Sequence, residues 1–466
     1  MKIEQIYTNC LSQGTYYIES NGEVAIIDPL REVQPYIDKA KESAATIKYI
    51  FETHFHADFV SGHITLAEKT GATIVYGPTA ETNFTSHIAK DSEVFKLGDI
   101  EIIALHTPGH TMESTTYLVK DESGKNHAVF SGDTLFIGDV GRPDLAQKGD
   151  ITQDDLAGML FRSLRTKLMT LEDEVIVYPA HGAGSACGKH LSKETVSTIG
   201  NQKQTNYALR ADLTKEEFIK EVTTGLLPPP EYFPLNVKLN KEGYKSIDDI
   251  IAKGSKSLSV DEFEYVANKY EALILDVRHQ ADFIQGFVPQ SIFIGLNGSF
   301  APWVGALIRD TEQPIALITP EGKEEETITR LARVGFDNVL GYLEGSFESW
   351  KTANKEFDTL SSVSANHLEK AISEQATVFD VRKPGEYEAN HIKNVDNTPL
   401  DYLNDYISVF PKTKDFYIHC AGGYRSVIAA SILKSRGFHN VIDVAGGYKA
   451  IKETTIERVA SACASK

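Results

Sequence analysis

Thr53-His54-Phe55-His56-Ala57-Asp58 places two imidazoles and a carboxylate directly after the apolar, β-branched segment 47–51. Three further segments carry a His or Asp at the same kind of position, where a predicted strand gives way to a loop: Pro108-Gly109-His110-Thr111, Ser131-Gly132-Asp133-Thr134 and Pro179-Ala180-His181-Gly182. Strand ends can converge on one cavity, and the loops there are where functional sites are built. Neutral imidazoles and a carboxylate suit Zn, Fe or Mn. The pattern therefore predicts a metal site in the first half of the chain.

The four motifs together resemble the metallo-β-lactamase superfamily over about residues 1–245. The resemblance rests on His-x-His-x-Asp, Pro-Gly-His-Thr, Gly-Asp-Thr and a late His-Gly, in that order. It implies an α/β fold of the αββα sandwich type, with the metal at one edge of the β layers. The other histidines of this region are interpreted as ordinary hydrogen-bonded residues; they include His63, His106, His127 and His190.

Phe59 bears on the number of metals. Hydrolases of this superfamily such as glyoxalase II hold two metals and carry His-x-His-x-Asp-His, but Phe59 stands at the last position, and a phenyl ring cannot ligate. Persulfide dioxygenases hold one iron on the second His of the first motif, the His of Pro-Gly-His and the Asp of Gly-Asp. Carried over, this resemblance implies Fe(II), one per chain, on His56, His110 and Asp133, with Zn as the alternative metal. Two His and one carboxylate leave positions open for O₂ and a substrate sulfur.

His54, Asp58 and His181 match superfamily metal positions that the one-iron enzymes do not fill. The resemblance therefore implies that they orient ligands or bound water, or that they are a vestigial second metal site. Arg142 is a candidate for binding a substrate carboxylate, because Arg forms forked pairs with carboxylates; a surface salt bridge is the alternative. Cys187 follows His181 closely, and its role stays open between lining the same cavity and being structural.

An internal repeat occupies the second half of the chain. Leu273–Arg278 matches Thr377–Arg382, and later segments match in the same order. Each copy alternates predicted strands and helices, which is typical of a small α/β domain with a parallel sheet. The predicted domains are 1–245, 255–352 and 360–460, with linkers at 252–257 and 353–359.

His419-Cys420-Ala-Gly-Gly-Tyr-Arg425-Ser426 follows an apolar segment and precedes a predicted helix. Exposed N–H groups and the helix dipole at such a turn favour the thiolate form of a cysteine. Cys-x₄-Arg at this position resembles the rhodanese sulfurtransferases, with support from Asp380-Val-Arg382 and Gly446-Gly447. Related phosphatases carry a loop one residue longer, so sulfur transfer is preferred to phosphate hydrolysis.

The rhodanese resemblance makes Cys420 the sulfur carrier and Arg425 a fixed positive charge beside it. Gly422, Gly423 and Tyr424 are candidate substrate-binding residues, since two glycines let the loop backbone wrap an anion.

The first repeat copy departs from the rhodanese pattern. Thr319, or a neighbour within one residue, stands where the cysteine should be, and the acidic residues Glu324-Glu-Glu326 stand where the arginine should be. An alcohol offers no thiolate, and three carboxylates would repel an anion. We interpret this copy, residues 255–352, as catalytically silent and call it the silent domain; residues 360–460 are the Cys420 domain.

The chain has 466 residues, with 47 Lys and Arg against 65 Asp and Glu and a net charge of −18. This balance argues against binding to nucleic acid or to an anionic membrane surface. No apolar segment is long enough to span a membrane, and the N-terminus lacks the apolar run of a signal peptide. Four scattered cysteines cannot form a disulfide framework, so a cytoplasmic location is expected.

These resemblances imply a persulfide dioxygenase fused to a sulfurtransferase. Expected substrates are a thiol persulfide, of glutathione or coenzyme A, and O₂; expected products are sulfite and thiosulfate, as in sulfide detoxification. Two alternatives stay open: a dizinc thioester hydrolase of the glyoxalase II type (a hydroxyacylglutathione hydrolase), and a non-enzymatic sulfur-relay or sensor protein. Superfamily members often self-associate, so a homo-oligomer is expected. The residues do not distinguish the thiol carrier or the direction of sulfur transfer.

Overall fold

The computed structural model describes residues 1–146 and 150–460, which form two compact units. The first unit comprises residues 1–247 together with 332–335, and the second comprises 248–331 and the described residues from 336 onward. Within the described ranges, no helix has both the length and the apolar character needed to cross a lipid bilayer.

Two six-stranded sheets form the centre of the first unit. The strands of the first sheet, in spatial order, are β1 Lys2–Thr8, β2 Gln13–Ser20, β3 Glu23–Ile27, β4 Thr46–Phe51, β5 Thr73–Tyr76 and β6 His87–Ile88. The second sheet has β7 Glu93–Leu97, β8 Ile100–His106, β9 Thr115–Lys120, β10 Asn126–Gly132, β11 Ile176–Pro179 and β12 Ser197–Thr198, with the spatial order running from β12 to β7. Their β-branched content predicts strands at 24–28, 47–51, 73–76, 101–104 and 175–178, and all five overlap strands of these sheets.

Helices cover the outer faces of both sheets. The helices of this unit are α1 Gln34–Glu42, α2 His63–Thr70, α3 Gln153–Ser163, α4 Ile199–Thr205, α5 Lys215–Thr223 and α6 Phe233–Glu242. The sequence predicts a short helix over 64–70 that Gly71 ends, and α2 does end at Gly71, in the left-handed conformation (φ 75°). Helices α3 and α5 begin with capping boxes, Thr152 with Asp155 and Thr214 with Glu217.

Side-chain alternation along the strands builds three apolar layers, because successive side chains of a strand point to opposite faces. On β2, Tyr16 and Ile18 pack between the two sheets against Phe130. The intervening Tyr17 faces outward toward α1 and α2. A third cluster packs α3 and α5 on the outer face of the second sheet. This is the expected αββα sandwich, which is confirmed.

The second unit contains two domains with the same arrangement of parallel strands. Helix α7 Ile247–Gly254 precedes the silent domain. The silent domain consists of β13 Ser257–Leu258, α8 Val260–Lys269, β14 Leu273–Asp276, α9 Gln280–Gln285, β15 Ile292–Phe293, α10 Phe300–Leu307, β16 Ile315–Ile318, α11 Glu324–Ala332, β17 Val339–Leu343 and α12 Ser346–Thr352. Its strand order is β13-β17-β16-β14-β15. The predicted linker at 252–257 is wrong at its start, since α7 continues to Gly254.

The Cys420 domain repeats this order. Its elements are β18 Ser362–Val363, α13 Ala365–Ser373, β19 Thr377–Asp380, α14 Pro384–Ala389, β20 Asn390–Ile392, β21 Asp396–Asn397, α15 Leu403–Tyr406, β22 Phe416–His419, α16 Tyr424–Ser435, β23 Val441–Val444, α17 Gly447–Ile451 and β24 Arg458–Ala460. The sheet runs β18-β23-β22-β19-β21, all in parallel pairs, and β20 pairs separately with β24. The predicted tandem of parallel α/β domains is confirmed.

Candidate functional sites

Four loops at the edge of the first unit's sheets carry the predicted metal-site residues into one buried cluster. One ligand atom from each of His54, His110 and Asp133 lies within 4.8 Å of the other two. The Asp133 Oδ2 is 3.4 Å from His110 Nε2 and 3.8 Å from His54 Nε2. These residues follow β4, β8 and β10, so the strand-end argument located them correctly.

His56 Nε2 contacts two other buried carboxylates. Its Nε2 lies 3.0 Å from Asp28 Oδ1 and 3.6 Å from Glu52 Oε2. Burial disfavours the charged imidazole, but these two carboxylates and Asp58 outweigh it and raise the pKa of His56 to about 9. The compact group that holds His110 and Asp133 therefore contains His54, where the sequence placed His56.

His56 belongs instead to a second group, with Asp58 and His181, whose ligand atoms also lie within 4.8 Å of one another. His181 Nε2 is 3.4 Å from Asp58 Oδ2 and 3.6 Å from Asp133 Oδ1, so Asp133 stands between the two groups. The ring of Phe59 lies 4.4 Å from that of His56, where it forms an apolar wall.

The buried polar atoms of the cluster fit a cation. Among the described residues, both Asp133 oxygens, Asp58 Oδ1 and His181 Nε2 are buried without a hydrogen-bond partner. Burying a carboxylate with neither a hydrogen bond nor a counter-charge is costly, and a bound metal ion would remove that cost. Burial also raises the pKa of Asp58, although His181 and His56 oppose this rise.

The outer nitrogens of the two triplet imidazoles are held by the protein. His54 Nδ1 lies 3.0 Å from Thr53 Oγ1, which itself donates to Asp28 Oδ2 at 2.9 Å. His110 Nδ1 lies 2.9 Å from the Arg142 carbonyl oxygen. Burial and the neighbouring histidines hold the pKa of His54 well below its usual value. Each Nε2 is thus left as a lone-pair donor aimed at Asp133, the state that a metal ligand needs.

Sequence reasoning missed Asp28 and Glu52, which hold His56. Asp28 ends a strand that was identified from the sequence, and it adopts a left-handed conformation (φ 50°). Its oxygens accept hydrogen bonds from the Thr53 backbone and side chain at 2.8 and 2.9 Å. The strand-end signal that selected Asp133 also applied to Asp28. Glu52 lies one residue before the motif and accepts a hydrogen bond from Ser61.

Arg142 has its guanidinium engaged within the protein. Its Nε and Nη2 donate to the Asp144 carboxylate at 2.6 and 2.7 Å, and its nitrogens also donate to the carbonyls of Ala186 and Leu227. The Arg142 guanidinium thus forms an internal ion pair and is not held free to bind an anion. Cys187 is buried, and its sulfur lies within 4.8 Å of ligand atoms of Asp133 and His181. Burial raises the pKa of the Cys187 thiol.

The Cys420 loop lies between the end of β22 and the start of α16, as the sequence predicted. The Gly423 N–H donates to Cys420 Sγ at 3.1 Å, and the Ser426 hydroxyl donates to the same sulfur at 3.5 Å. Gly423 has φ 99°, which favours glycine, whereas a Cβ at Gly422 would meet nothing within 4 Å in the described chain. Of the two loop glycines, only Gly423 has a backbone conformation that favours glycine over other residues.

Arg425 points its guanidinium at Glu386. Nη1 and Nη2 donate to the two carboxylate oxygens at 2.6 and 2.8 Å, a forked pair. Burial would raise the pKa of Glu386, but Arg425 outweighs it and lowers that pKa. Part of the predicted positive charge is therefore already balanced by a carboxylate. The Tyr424 side chain leaves the loop, and its hydroxyl donates to the Gly295 carbonyl of the silent domain at 2.7 Å.

In the corresponding loop of the silent domain, the Glu324 carboxylate accepts the loop's hydrogen bonds. Thr319 follows β16 at the register of Cys420 after β22. Its hydroxyl and the Gly322 N–H both donate to Glu324 Oε1 at 3.2 Å. A side-chain carboxylate therefore takes the donors that would face an anion in this loop.

Family comparisons match both halves of the chain. The metallo-beta-lactamase superfamily model matches residues 9–181, and the rhodanese-like domain model matches residues 259–353 and 364–454.

The relatives that the chain is similar to include two kinds of enzyme. A probable hydroxyacylglutathione hydrolase of Schizosaccharomyces pombe is 29% identical over 215 residues, which are 41% of this chain and 79% of that protein. The mitochondrial persulfide dioxygenase of Homo sapiens is 29% identical over 220 residues, 47% of this chain and 78% of that protein. A crystal structure of a metallo-beta-lactamase from Staphylococcus aureus subsp. aureus COL is 30% identical, covers 74% of this chain and 98% of its own, and superposes with a TM-score of 0.64.

Proposed function

The chain belongs to the metallo-β-lactamase superfamily and carries two rhodanese-like domains, and on this basis we propose that it is a persulfide dioxygenase coupled to a sulfurtransferase. The observation that carries the proposal is the pairing on one chain of a His₂–Asp triplet with a rhodanese loop whose cysteine sulfur accepts two hydrogen bonds. Similarity to a persulfide dioxygenase over the first unit supports it.

His54, His110 and Asp133 would hold one Fe(II) per chain in this proposal. His54 would take the place that the resemblance gave to His56, because its ligand atom, and not that of His56, is grouped with those of His110 and Asp133. Bound Fe(II) supplies open positions at which a persulfide sulfur and O₂ can be brought side by side. The protein's contribution is to hold the Nδ1 atoms of both imidazoles through Thr53 and the Arg142 carbonyl, which leaves each Nε2 toward Asp133.

Cys420 would carry sulfur at the second site. Its thiolate attacks the outer sulfur of thiosulfate, a Cys420 persulfide forms, and sulfite leaves with the electron pair of the broken S–S bond; the reverse step consumes sulfite and releases thiosulfate. Sulfite is also the expected product of the first site. Two such sites on one chain raise the effective concentration of sulfite for Cys420.

A dizinc thioester hydrolase is the second candidate. The group of His56, Asp58 and His181 beside the first triplet favours it, as does similarity to a hydroxyacylglutathione hydrolase. Phe59 counts against it, since it stands where the hydrolases place a ligating imidazole. Two zinc ions and thioester hydrolysis would establish this alternative.

The test combines metal analysis with oxygen uptake. Protein expressed without added zinc should contain about one iron per chain and consume O₂ with glutathione persulfide or coenzyme A persulfide, and the ratio of the two rates identifies the carrier. His54→Ala should lose bound iron, whereas His56→Ala should retain most of it. Absence of O₂ uptake by iron-loaded protein would overturn the dioxygenase proposal, and iron loss in His56→Ala with retention in His54→Ala would restore His56 as the ligand.

A further inference from the structure

Tyr424 links the sulfur-transfer loop to the silent domain. Its hydroxyl donates to the Gly295 carbonyl at 2.7 Å, and its ring contacts Phe293 edge-on at 5.9 Å between centroids. Gly298 leaves room for that ring, because a Cβ there would lie 2.3 Å from Tyr424 Cζ. Burial raises the pKa of Tyr424, so the hydroxyl stays protonated and available as a donor. The side chain is thus held by a turn of the other domain, residues 295–298.

Tyr424 also directly follows Gly423, the residue whose N–H donates to the reactive sulfur. It is the first residue of α16, and the preceding Gly423 donates its N–H to Cys420 Sγ at 3.1 Å. Gly423 adopts φ 99°, a conformation without steric restraint from a side chain of its own. The direction of this N–H therefore depends on what fixes the residue that follows it.

Helix α16 is held by the silent domain along its length. Eight consecutive residues, Ser426–Leu433, are buried. A helix buried on every side is packed between layers, here between its own sheet and the silent domain. At the level of Ser431, the Phe293 backbone N–H donates to the Ser431 hydroxyl at 2.9 Å. The silent domain thus contacts α16 both at its first residue and at Ser431.

We propose that the silent domain is the positioning element of the sulfur-transfer site: its Gly295–Gly298 turn locks Tyr424, and Tyr424 holds the Gly423 N–H on Cys420 Sγ. This rests on the proposed function only in assigning sulfur transfer to Cys420. Tyr424 acts through Gly423 and is a positioning residue rather than a substrate-binding one. The silent domain needs no cysteine for this role, only the space at Gly298 and the carbonyl at Gly295.

Gly298→Ala tests the lock from the silent domain. The added methyl collides with the Tyr424 ring, so we expect the carbamidomethylation rate of Cys420 by iodoacetamide, followed by peptide mass spectrometry, to fall about tenfold, the effect of losing one hydrogen bond to a charged group. The kcat for transfer from thiosulfate to cyanide should fall by a similar factor, with KM changing less. Tyr424→Phe keeps the ring and loses only the hydroxyl, so we expect a fall of about threefold.

Gly385→Ala is the matched control, because a Cβ at Gly385 meets nothing within 4 Å in the described chain. Its rates should stay within about twofold of the parent protein. Thermal denaturation of each variant reports its folding independently. Parental alkylation rates in folded Gly298→Ala and in Tyr424→Phe would overturn the lock. Tyr424→Phe decides alone if Gly298→Ala does not fold. Alkylation does not depend on the true substrate, so slowed alkylation without any cyanide-dependent turnover would retain the lock and reject sulfur transfer.

Discussion

The silent domain and the Cys420 domain place their loops at the same point of the same strand order but fill them differently. In the Cys420 domain, the loop donors face a sulfur, and the first helical residues are Tyr424, Arg425 and Ser426. In the silent domain, Thr319 takes the sulfur's position and the helix opens with three glutamates. Glu324 accepts hydrogen bonds from both Thr319 and Gly322, so a side chain takes the place of an anionic ligand.

A second difference lies behind the loop, in the turn before the last helix. Gly446 and Gly447 are both left-handed in the Cys420 domain, and a Cβ at Gly447 would lie 2.4 Å from the Cys420 carbonyl oxygen. The silent domain has Gly345 and Ser346 there, also left-handed, and Ser346 carries the strain of a side chain at φ 56°. The fold thus tolerates either residue, whereas the close approach of the Cys420 loop requires glycine.

The comparison teaches that loop chemistry and domain stability are separable in this fold. The silent domain has the same five-stranded order as the Cys420 domain, although it lacks the cysteine, the arginine and the second glycine. In its loop, the Glu324 carboxylate accepts the hydrogen bonds that an anion would otherwise accept. The retained domain still contacts α16 of its neighbour.

Cys420→Ser is the substitution with the largest expected effect. It removes the sulfur nucleophile, so thiosulfate-dependent turnover should fall by roughly a thousandfold or more, as for other nucleophile deletions. Thiocyanate formation from thiosulfate and cyanide measures it. Oxygen uptake by the same variant should be unchanged, and turnover that persists would place sulfur transfer elsewhere on the chain.

Thr319→Cys in the Cys420→Ser background tests the converse, namely whether a thiol in the silent domain's loop can replace Cys420. A thiol at Thr319 sits against the Glu324 carboxylate and lacks an arginine, so we expect no recovery of turnover. Recovery above about one per cent of the parent rate would show that the cysteine alone separates the two domains.

Gly447→Ser imports the silent domain's residue into the Cys420 domain. The side chain would press on the Cys420 carbonyl oxygen and would be strained at φ 53°, so we expect a loss of about 3 kcal/mol in the free energy of unfolding. Gly437→Ser is the matched control, since Gly437 is also left-handed (φ 86°) but its Cβ would meet nothing within 4 Å in the described chain. Thermal denaturation compares the two. Equal losses would mean that backbone conformation, and not close approach, requires Gly447.

Asp443→Asn has the smallest expected effect and concerns a carboxyl that the silent domain replaces by Tyr342 at the same register. Burial raises the pKa of Asp443 to about 6, and Ser426 and Ser362 only partly offset it. The folded state therefore binds this proton more tightly than the unfolded state, and stability falls as pH rises from about 4 through 6. Asn removes the charged form, which this shift makes unfavourable by about 3 kcal/mol, but it weakens the hydrogen bond from Ser362 by about 1 kcal/mol or more, so we expect a net gain of about 1–2 kcal/mol at pH 7.5.

The pH series checks the sign of this effect. Below about pH 4, Asp443 is neutral in both states and the two proteins should unfold at similar temperatures. A loss of stability at pH 7.5 in Asp443→Asn would show that Ser362 and Ser426 stabilise the carboxylate more than burial opposes it.

Much of the fold and of the sites could be predicted because the signals are local. Each metal-site residue follows a strand whose β-branched content is visible in the sequence, and Cys420 follows another. The left-handed end of α2 at Gly71 was predicted from a single glycine. The linker at 252–257 was predicted from composition alone, and α7 overrides that composition up to Gly254.

What the sequence by itself determined is the order of motifs, the αββα and tandem parallel architectures, and the loss of the thiol at Thr319. Only the tertiary structure decided which side chain turns toward which partner. His54 and His56 lie in one loop, yet His54 lies against Asp133 and His56 against Asp28 from a different strand. Arg142, Arg425 and Tyr424 likewise meet Asp144, Glu386 and Gly295. The reason is physical: strand and turn formation depend on neighbours along the chain, whereas a buried charge or hydroxyl takes whichever partner the packed fold brings within hydrogen-bonding distance.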